Sequence, residues 1–342
     1  MKAAVLRNVD DLRLEALPDP RPARNEVLIQ IKSSGVCGTD VHMWEGKNKE
    51  GTFPFIPGHE WSGVVVEAGP DCKKFKVGDK VVGEPFIPDG LCSNCKDGMG
   101  PAMCPSPEYY GFTWTTPGGF AEYCASKESR LHLVPDSVSF EEAALIEPAS
   151  VAYHGLWGGG GHVAPHDRVV VFGGGPIGLL TMMECKASGA PVIMVEPAAY
   201  RSKMAGDLGA DYVLDPNDGR LIEQIMDLTR GRGASLVVEC SGADAALAAS
   251  IDVVAKESRI VLVGQSVGRK VPIEIGMTIW KGTTIYGSCD SPFFFPKTLD
   301  FMERKLVDLA RVITHRFSIG QIHEAFELGA RGTESGKIMI NF

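Results

Sequence analysis

The sequence predicts an α/β chain in two parts, a β-rich lobe and a doubly wound parallel sheet, with the end of the chain returning to the first part. Three observations predict it. Short runs with period-two alternation fill residues 2–80, apolar runs alternate with helical stretches after residue 165, and a glycine cluster stands where the first of those runs meets the first helix. In the first part, residues 27–32 and 61–67 alternate apolar and polar side chains between Pro and Gly turns, as half-buried strands do. Residues 85–110 carry glycines, prolines and three cysteines without periodicity, and a loop of that length inside a compact domain is functional or held by something. The second part reads as strand 169–172 with helix 177–188, strand 192–196 with helix 200–208, strand 236–240 with helix 243–255, and strand 260–264. Such βαβ alternation gives a parallel sheet with helices on both faces. An amphipathic stretch at 293–303 and a terminal strand at 337–342 follow. The expected division is residues 1–150, completed by 291–342, and residues 151–290.

Composition bounds the function. A chain of 342 residues with 44% hydrophobic and 23% charged residues is neither disordered nor fibrous, and its length suits two domains. Forty glycines without a G-X-Y period point to tight turns and close backbone approaches. The net charge of -9 and the absence of Lys/Arg clusters argue against a nucleic-acid partner, whose phosphates demand concentrated positive charge. Charges at Arg7, Asp10 and Asp11 interrupt any leader-like apolar run, and the longest apolar stretch, 169–183, is too short and too broken by glycine and proline to span a bilayer. A cytoplasmic protein with no membrane partner is expected. Nine cysteines, an odd number, then suggest metal or thiol roles rather than a disulfide framework.

Gly173-Gly174-Gly175-Pro176-Ile177-Gly178 is G-x-G-x-x-G placed directly after a strand and opening a helix. Gly173 permits the tight turn, Gly175 lets backbone amides approach a pyrophosphate, and Gly178 lets helix and strand pack closely, while Pro176 and Ile177 begin the helix whose N-terminus attracts the anion. Glu196, 18 residues beyond Gly178, stands where an acid meets the adenosine ribose hydroxyls and repels a 2′-phosphate, which favours NAD over NADP. Three readings stay open for Arg201 and Lys203: solvent, adenine packing, or attraction of a phosphate. The plainer alternative for the whole motif is a flavodoxin-like sheet whose glycines merely turn the chain.

Upstream, Gly35-Val-Cys37-Gly-Thr39-Asp40-Val-His42 and Gly58-His59-Glu60 put a thiol, imidazoles and carboxylates into one β-rich lobe. These are the ligand types of a catalytic zinc with a fourth position free. Singly, each has a bland reading, the cysteine as a small buried hydrophobe and the histidine as a hydrogen-bonded surface residue.

These two motifs, followed in order by Gly78-Asp79-Lys-Val-Val82, Gly118-Gly-Phe-Ala-Glu122 and the glycine cradle, resemble the zinc-dependent medium-chain alcohol dehydrogenases over essentially the whole chain. Within them the sequence is most similar to the sorbitol and threonine dehydrogenase branch, whose members share the G-H-E triplet, and the segment Glu147-Pro148-Ala-Ser150-Val-Ala-Tyr-His154 is more similar to the polyol enzymes than to the threonine ones. The resemblance implies a GroES-like catalytic domain plus a Rossmann domain, with a metal held by Cys37, His59 and Glu60 and with Glu147 either an exchanging ligand or a partner of water on the metal. Neighbouring side chains in a strand point oppositely, so His59 and Glu60 can serve one ion only if the chain breaks there, as Pro57-Gly58 allows. Asp40 would orient the imidazole of His59. The alcohol's proton would leave by the hydroxyl of Thr39 and the imidazole of His42, although Thr39 could simply bond backbone and His42 could be an exposed histidine.

Where many members of the family bind a structural zinc through four cysteines, this chain has Asp89, Cys92, Cys95 and Cys104, with aspartate in the first place. A second zinc there, or a metal-free lobe with reduced thiols, are the two readings. Cys72, Cys124, Cys185, Cys240 and Cys289 are expected in the core. Met43, Trp44, Phe112, Glu147 and the segment after the strand near 284–288 are candidates for the substrate cleft or, equally, for packing. The expected activity is zinc- and NAD-dependent oxidation of a secondary alcohol of a polyol, sugar or cyclitol to the ketone. The alternatives are an L-threonine 3-dehydrogenase-like amino-alcohol dehydrogenase, a metal-free reductase of the quinone or enone type, and a non-catalytic NADH- and zinc-binding redox sensor. Members of the branch are commonly tetramers, so a homo-oligomer, tetramer or dimer, is expected.

Overall fold

The computed structural model describes residues 1–99, 103–264, 268–291 and 293–342. They form two compact units, one of Met1–Glu147, Phe295–Lys305 and Ile313–Phe342, the other of Pro148–Phe294 and Leu306–Val312.

The first unit is built on a seven-stranded sheet whose central member is Glu26–Val36, paired antiparallel with Glu60–Ala68, Tyr123–Lys127 and the terminal strand Lys337–Asn341. Period-two alternation sends Val27, Ile29 and Ile31 to one face, where they bury with Trp61, Val65 and Val81. A second cluster, with Leu6, Met43, Phe55, Phe120 and Phe326, packs the other side. Register positions the chemistry. Gly35 faces both Glu60 on one neighbour and Met339 on the other, and Val36 faces Ile338, so Lys337 arrives at the end of the strand that leads into Cys37.

The second unit holds a six-stranded, wholly parallel sheet in the order Tyr212–Leu214, Val192–Val195, Val169–Phe172, Ala234–Glu239, Val254–Leu262, Thr284–Gly287. The Val169–Phe172 and Val192–Val195 strands are buried on both faces, which is why they read as unbroken apolar runs rather than alternations. Helix Pro176–Ala187 starts with proline at a position whose N–H would lack a helical partner anyway, and residues 178–185 are all buried. The sequence analysis leaves several elements of this unit unassigned, among them strand Tyr212–Leu214, helices Leu221–Leu228 and Ile275–Lys281 and the π-helical turn His154–Gly159.

Among the described residues no helix is long and apolar enough to cross a membrane. All nine cysteines are free. Cys289 departs from the core position expected for it. It is exposed, with its Sγ 3.3 Å from Oδ2 of Asp290, because it lies beyond the end of Thr284–Gly287, the last strand of the sheet.

Candidate active site

Cys37 stands in extended backbone at the N-terminus of helix Gly38–Trp44, and its N–H donates to Oδ2 of Asp40 at 3.0 Å. The other oxygen of this fully buried carboxylate accepts the N–H of Gly58 at 3.2 Å and lies 3.5 Å from Nδ1 of His59. Gly58 has φ +94°, which breaks the extended run so that the strand begins only at Glu60 and His59 turns away from strict alternation. The result brings one donor atom each from Cys37, His59 and Glu60 within 4.8 Å of one another. With Nδ1 facing Asp40, the opposite ring nitrogen is the one left for an ion. His59 and Glu60 are buried and Cys37 half-buried. Burial opposes a charge on His59, yet Asp40 and Cys37 draw its pKa well above the usual value. A cation among these donors would satisfy the same field, and thiolate, imidazole and carboxylate are the donor set of a catalytic zinc.

Glu147, in the first turn of helix Ile146–Tyr153, is buried but stands outside the group of three. Thr39 is half-buried and His42 exposed, one turn apart on the helix that starts beside Cys37. Of the cleft candidates, Met43 is wholly buried in the core cluster, and Trp44 packs edge-on against Phe326 with ring centres 5.9 Å apart. The ring of Phe112 lies 5.7 Å from that of His59.

Lys337 escaped sequence reading. Its ammonium pairs with Oε2 of Glu60, both groups being almost fully buried. Burial opposes its charge, while Glu60, Cys37 and Glu147 together raise its pKa. The available signal was a lysine opening an otherwise apolar strand.

The cysteine lobe gathers its four donors as well. Asp89, Cys92, Cys95 and Cys104 offer ligand atoms within 4.8 Å of one another. Oδ1 of Asp89 accepts N–H bonds from Leu91 at 2.8 Å and Cys92 at 3.1 Å, which hold its pKa down at about 2. The Cys95 thiol, in contrast, is pushed up to about 12 by its hydrogen bond with Cys92 and by burial. With Asp89 already a carboxylate, three thiols that gave up their protons to a cation would complete a tetrahedral donor set.

In the second unit a cavity of about 420 Å³ opens at the carboxyl ends of the strands, where the order reverses on either side of Val169–Phe172. Gly173 (φ +95°) and Gly175 line it, and a Cβ on Gly173 would lie 2.9 Å from the backbone of Ser241. Gly178 is buried in the helix, with the carbonyl of Gly173 filling the space a side chain would need. Pro176 and Ile177 form the first helical turn, both half-buried. Glu196 directs Oε2 to the N–H of Gly174 at 2.6 Å and Oε1 to that of Ala198 at 2.7 Å. Arg201 lines the cavity, whereas exposed Lys203 pairs along its own helix with Asp207. Glu239, also missed by sequence reading, is fully buried and caps the facing turn by accepting the N–H groups of Ser241 and Gly242 at 2.7 and 3.0 Å.

Residues 23–136 match the alcohol dehydrogenase GroES-like domain and residues 176–304 the zinc-binding dehydrogenase domain. The chain is 32% identical to sorbitol dehydrogenase of Bacillus subtilis over 99% of its length and 97% of the relative's. This chain belongs to the zinc-dependent medium-chain polyol dehydrogenase family. Another member, L-threonine 3-dehydrogenase of Pyrococcus furiosus, is 35% identical over 94% of this chain and 92% of its own. A solved zinc-binding dehydrogenase from Sinorhizobium meliloti, bound to NADP, superimposes with TM-score 0.91 at 26% identity, covering 100% of this chain and 99% of that one. As a medium-chain dehydrogenase the protein is a zinc-dependent alcohol dehydrogenase that works with a nicotinamide cofactor, and the GroES-like and Rossmann-like parts foreseen in the sequence are its two units.

Proposed function

We propose that the protein oxidises a secondary alcohol of a polyol, sugar or cyclitol to the ketone with NAD, using one zinc at Cys37, His59 and Glu60. The observation that carries this reading is the convergence of those three donors in the GroES-like unit, with Asp40 tying two of them together. When bound, zinc supplies Lewis acidity that lowers the pKa of an alcohol and the nicotinamide accepts a hydride. Cys37 and Glu60 carry the negative charge that fixes the cation, and Asp40 holds His59 in the orientation for ligation. Thr39 takes the alcohol's proton at its hydroxyl oxygen, and His42, exposed one turn further on, passes it to solvent. Glu147, a buried carboxylate outside that group of three, would serve as an exchanging ligand or as a partner of water on the ion.

NAD is favoured over NADP because Glu196 would meet a 2′-phosphate with a fixed negative charge, its oxygens already held by Gly174 and Ala198. Arg201, largely withdrawn from solvent, faces the cofactor from the cavity wall. The set Asp89, Cys92, Cys95 and Cys104 would hold a second, structural zinc. A homo-oligomer is supported by the edge strand Thr284–Gly287 and the neighbouring helix Ile275–Lys281, where Ile279 and Trp280 are 77% and 72% exposed.

Amino-alcohols form the second reading, supported by the identity to a threonine dehydrogenase. A panel of polyols, cyclitols, sugars and amino-alcohols, assayed for NADH and NADPH formation, tests both. The first reading expects a polyol or cyclitol with NAD to give the highest kcat/KM. Highest turnover of an amino-alcohol would replace it with the second.

A further inference from the structure

A buried ammonium beside a metal-binding carboxylate is an unusual expense of electrostatic energy, since each charge must be withdrawn from water and only good pairing offsets that cost. Lys337 and Glu60 are 2% and 1% exposed, and they pair through Oε2 of the glutamate. The neighbouring backbone is shaped for the pair: a Cβ on Gly35 would collide with the same Oε2 and lie 2.7 Å from Cε of Lys337. The lysine comes from the far end of the chain, placed by the pairing of Ile338 with Val36, and it feels Cys37 and Glu147 as well as Glu60.

We propose that Lys337 is a positioning residue that shares the Glu60 carboxylate with the metal. The ammonium takes Oε2 and leaves Oε1 for the ion. Glu60 would therefore meet the ion through one oxygen only. The inference rests on the assignment of the metal to Cys37, His59 and Glu60.

The test uses the full chain loaded with cobalt(II), whose visible absorption reports coordination number, and follows extraction of the ion by a chelator. The part of the spectrum that Cys37→Ser abolishes belongs to this site. Should Cys37→Ser leave the spectrum unchanged, the metal assignment fails and the lysine proposal with it. With the site established, Lys337→Met frees Oε2 for the ion, so absorption weakens towards a five-coordinate form and extraction slows by about 10-fold. Lys337→Arg, which keeps the charge, restores both towards wild type. Unchanged spectrum and rate, or faster extraction as a purely structural lysine would give, overturns the proposal while leaving the metal assignment intact. If Lys337→Met does not fold, Glu60→Gln and the double variant Glu60→Gln/Lys337→Met carry the test. A lysine that acts through Glu60 makes these two alike in spectrum and extraction, and a difference beyond about 3-fold contradicts it.

Discussion

Oδ1 of Asp40 lies 3.5 Å from Nδ1 of His59, while Oδ2 of the same carboxylate accepts the N–H of Cys37. One buried group thereby fixes two proposed ligands that are 22 residues apart in sequence. Asp40→Asn keeps the size and removes the charge. It should weaken zinc binding by about 10- to 100-fold in chelator competition, with kcat/KM falling in parallel. Wild-type affinity in a folded Asp40→Asn protein would show that the carboxylate orients nothing.

Gly35 gives a steric test of the same site. Gly35→Ala drives a methyl group into the Glu60 carboxylate, so thermal melting should reveal a destabilisation of about 1–3 kcal/mol, accompanied by weaker zinc retention. A melt and a zinc affinity both equal to wild type would mean that Glu60 and Lys337 move aside freely.

Cofactor choice rests on Glu196. Replacing it by serine removes a charged acceptor, and kcat/KM for NAD should fall by about 10- to 100-fold while the ratio of NADP to NAD use rises. Steady-state kinetics with both cofactors read this directly. An unchanged ratio would assign the preference elsewhere, with Arg201 next to be varied.

Much of this architecture is legible in the sequence, for physical reasons that differ by element. The parallel sheet announces itself because Val169–Phe172 and Val192–Val195 are covered on both faces and must be apolar throughout. The glycine cradle is legible because Gly173 needs a positive φ that side chains avoid. Residues brought together only by register are not. Lys337 meets Glu60 because the last strand pairs with Glu26–Val36, and no local pattern records a contact across so long a separation. Arg201 and Lys203 are two residues apart on one helix, so they face different ways, and only the structure tells which one enters the cavity.

Stability of the Rossmann unit carries a pH signature of its own. Asp167 is almost fully buried. Burial would raise its carboxyl, but bonds from Arg259 at 2.7 Å, from the hydroxyl of Ser235 at 2.7 Å and from the N–H of Ala164 hold it below its usual 3.8. A depressed carboxyl stabilises the folded state at pH above its unfolded value, and that contribution disappears as pH falls through the folded value. Asp167→Asn should therefore cost about 3 kcal/mol in denaturant unfolding at neutral pH, with the gap to wild type narrowing below about pH 4. A gap that stays constant into acid would assign the loss to packing rather than to the ion pair.

The most direct test of the central claim is the zinc content of Cys37→Ser measured together with NADH formation from the best alcohol. The variant is expected to hold one zinc fewer per chain than wild type, to bind NADH as wild type does, and to form no NADH above background. Full zinc content, or wild-type turnover after loss of that ion, would contradict a metal-dependent alcohol oxidation at Cys37, His59 and Glu60.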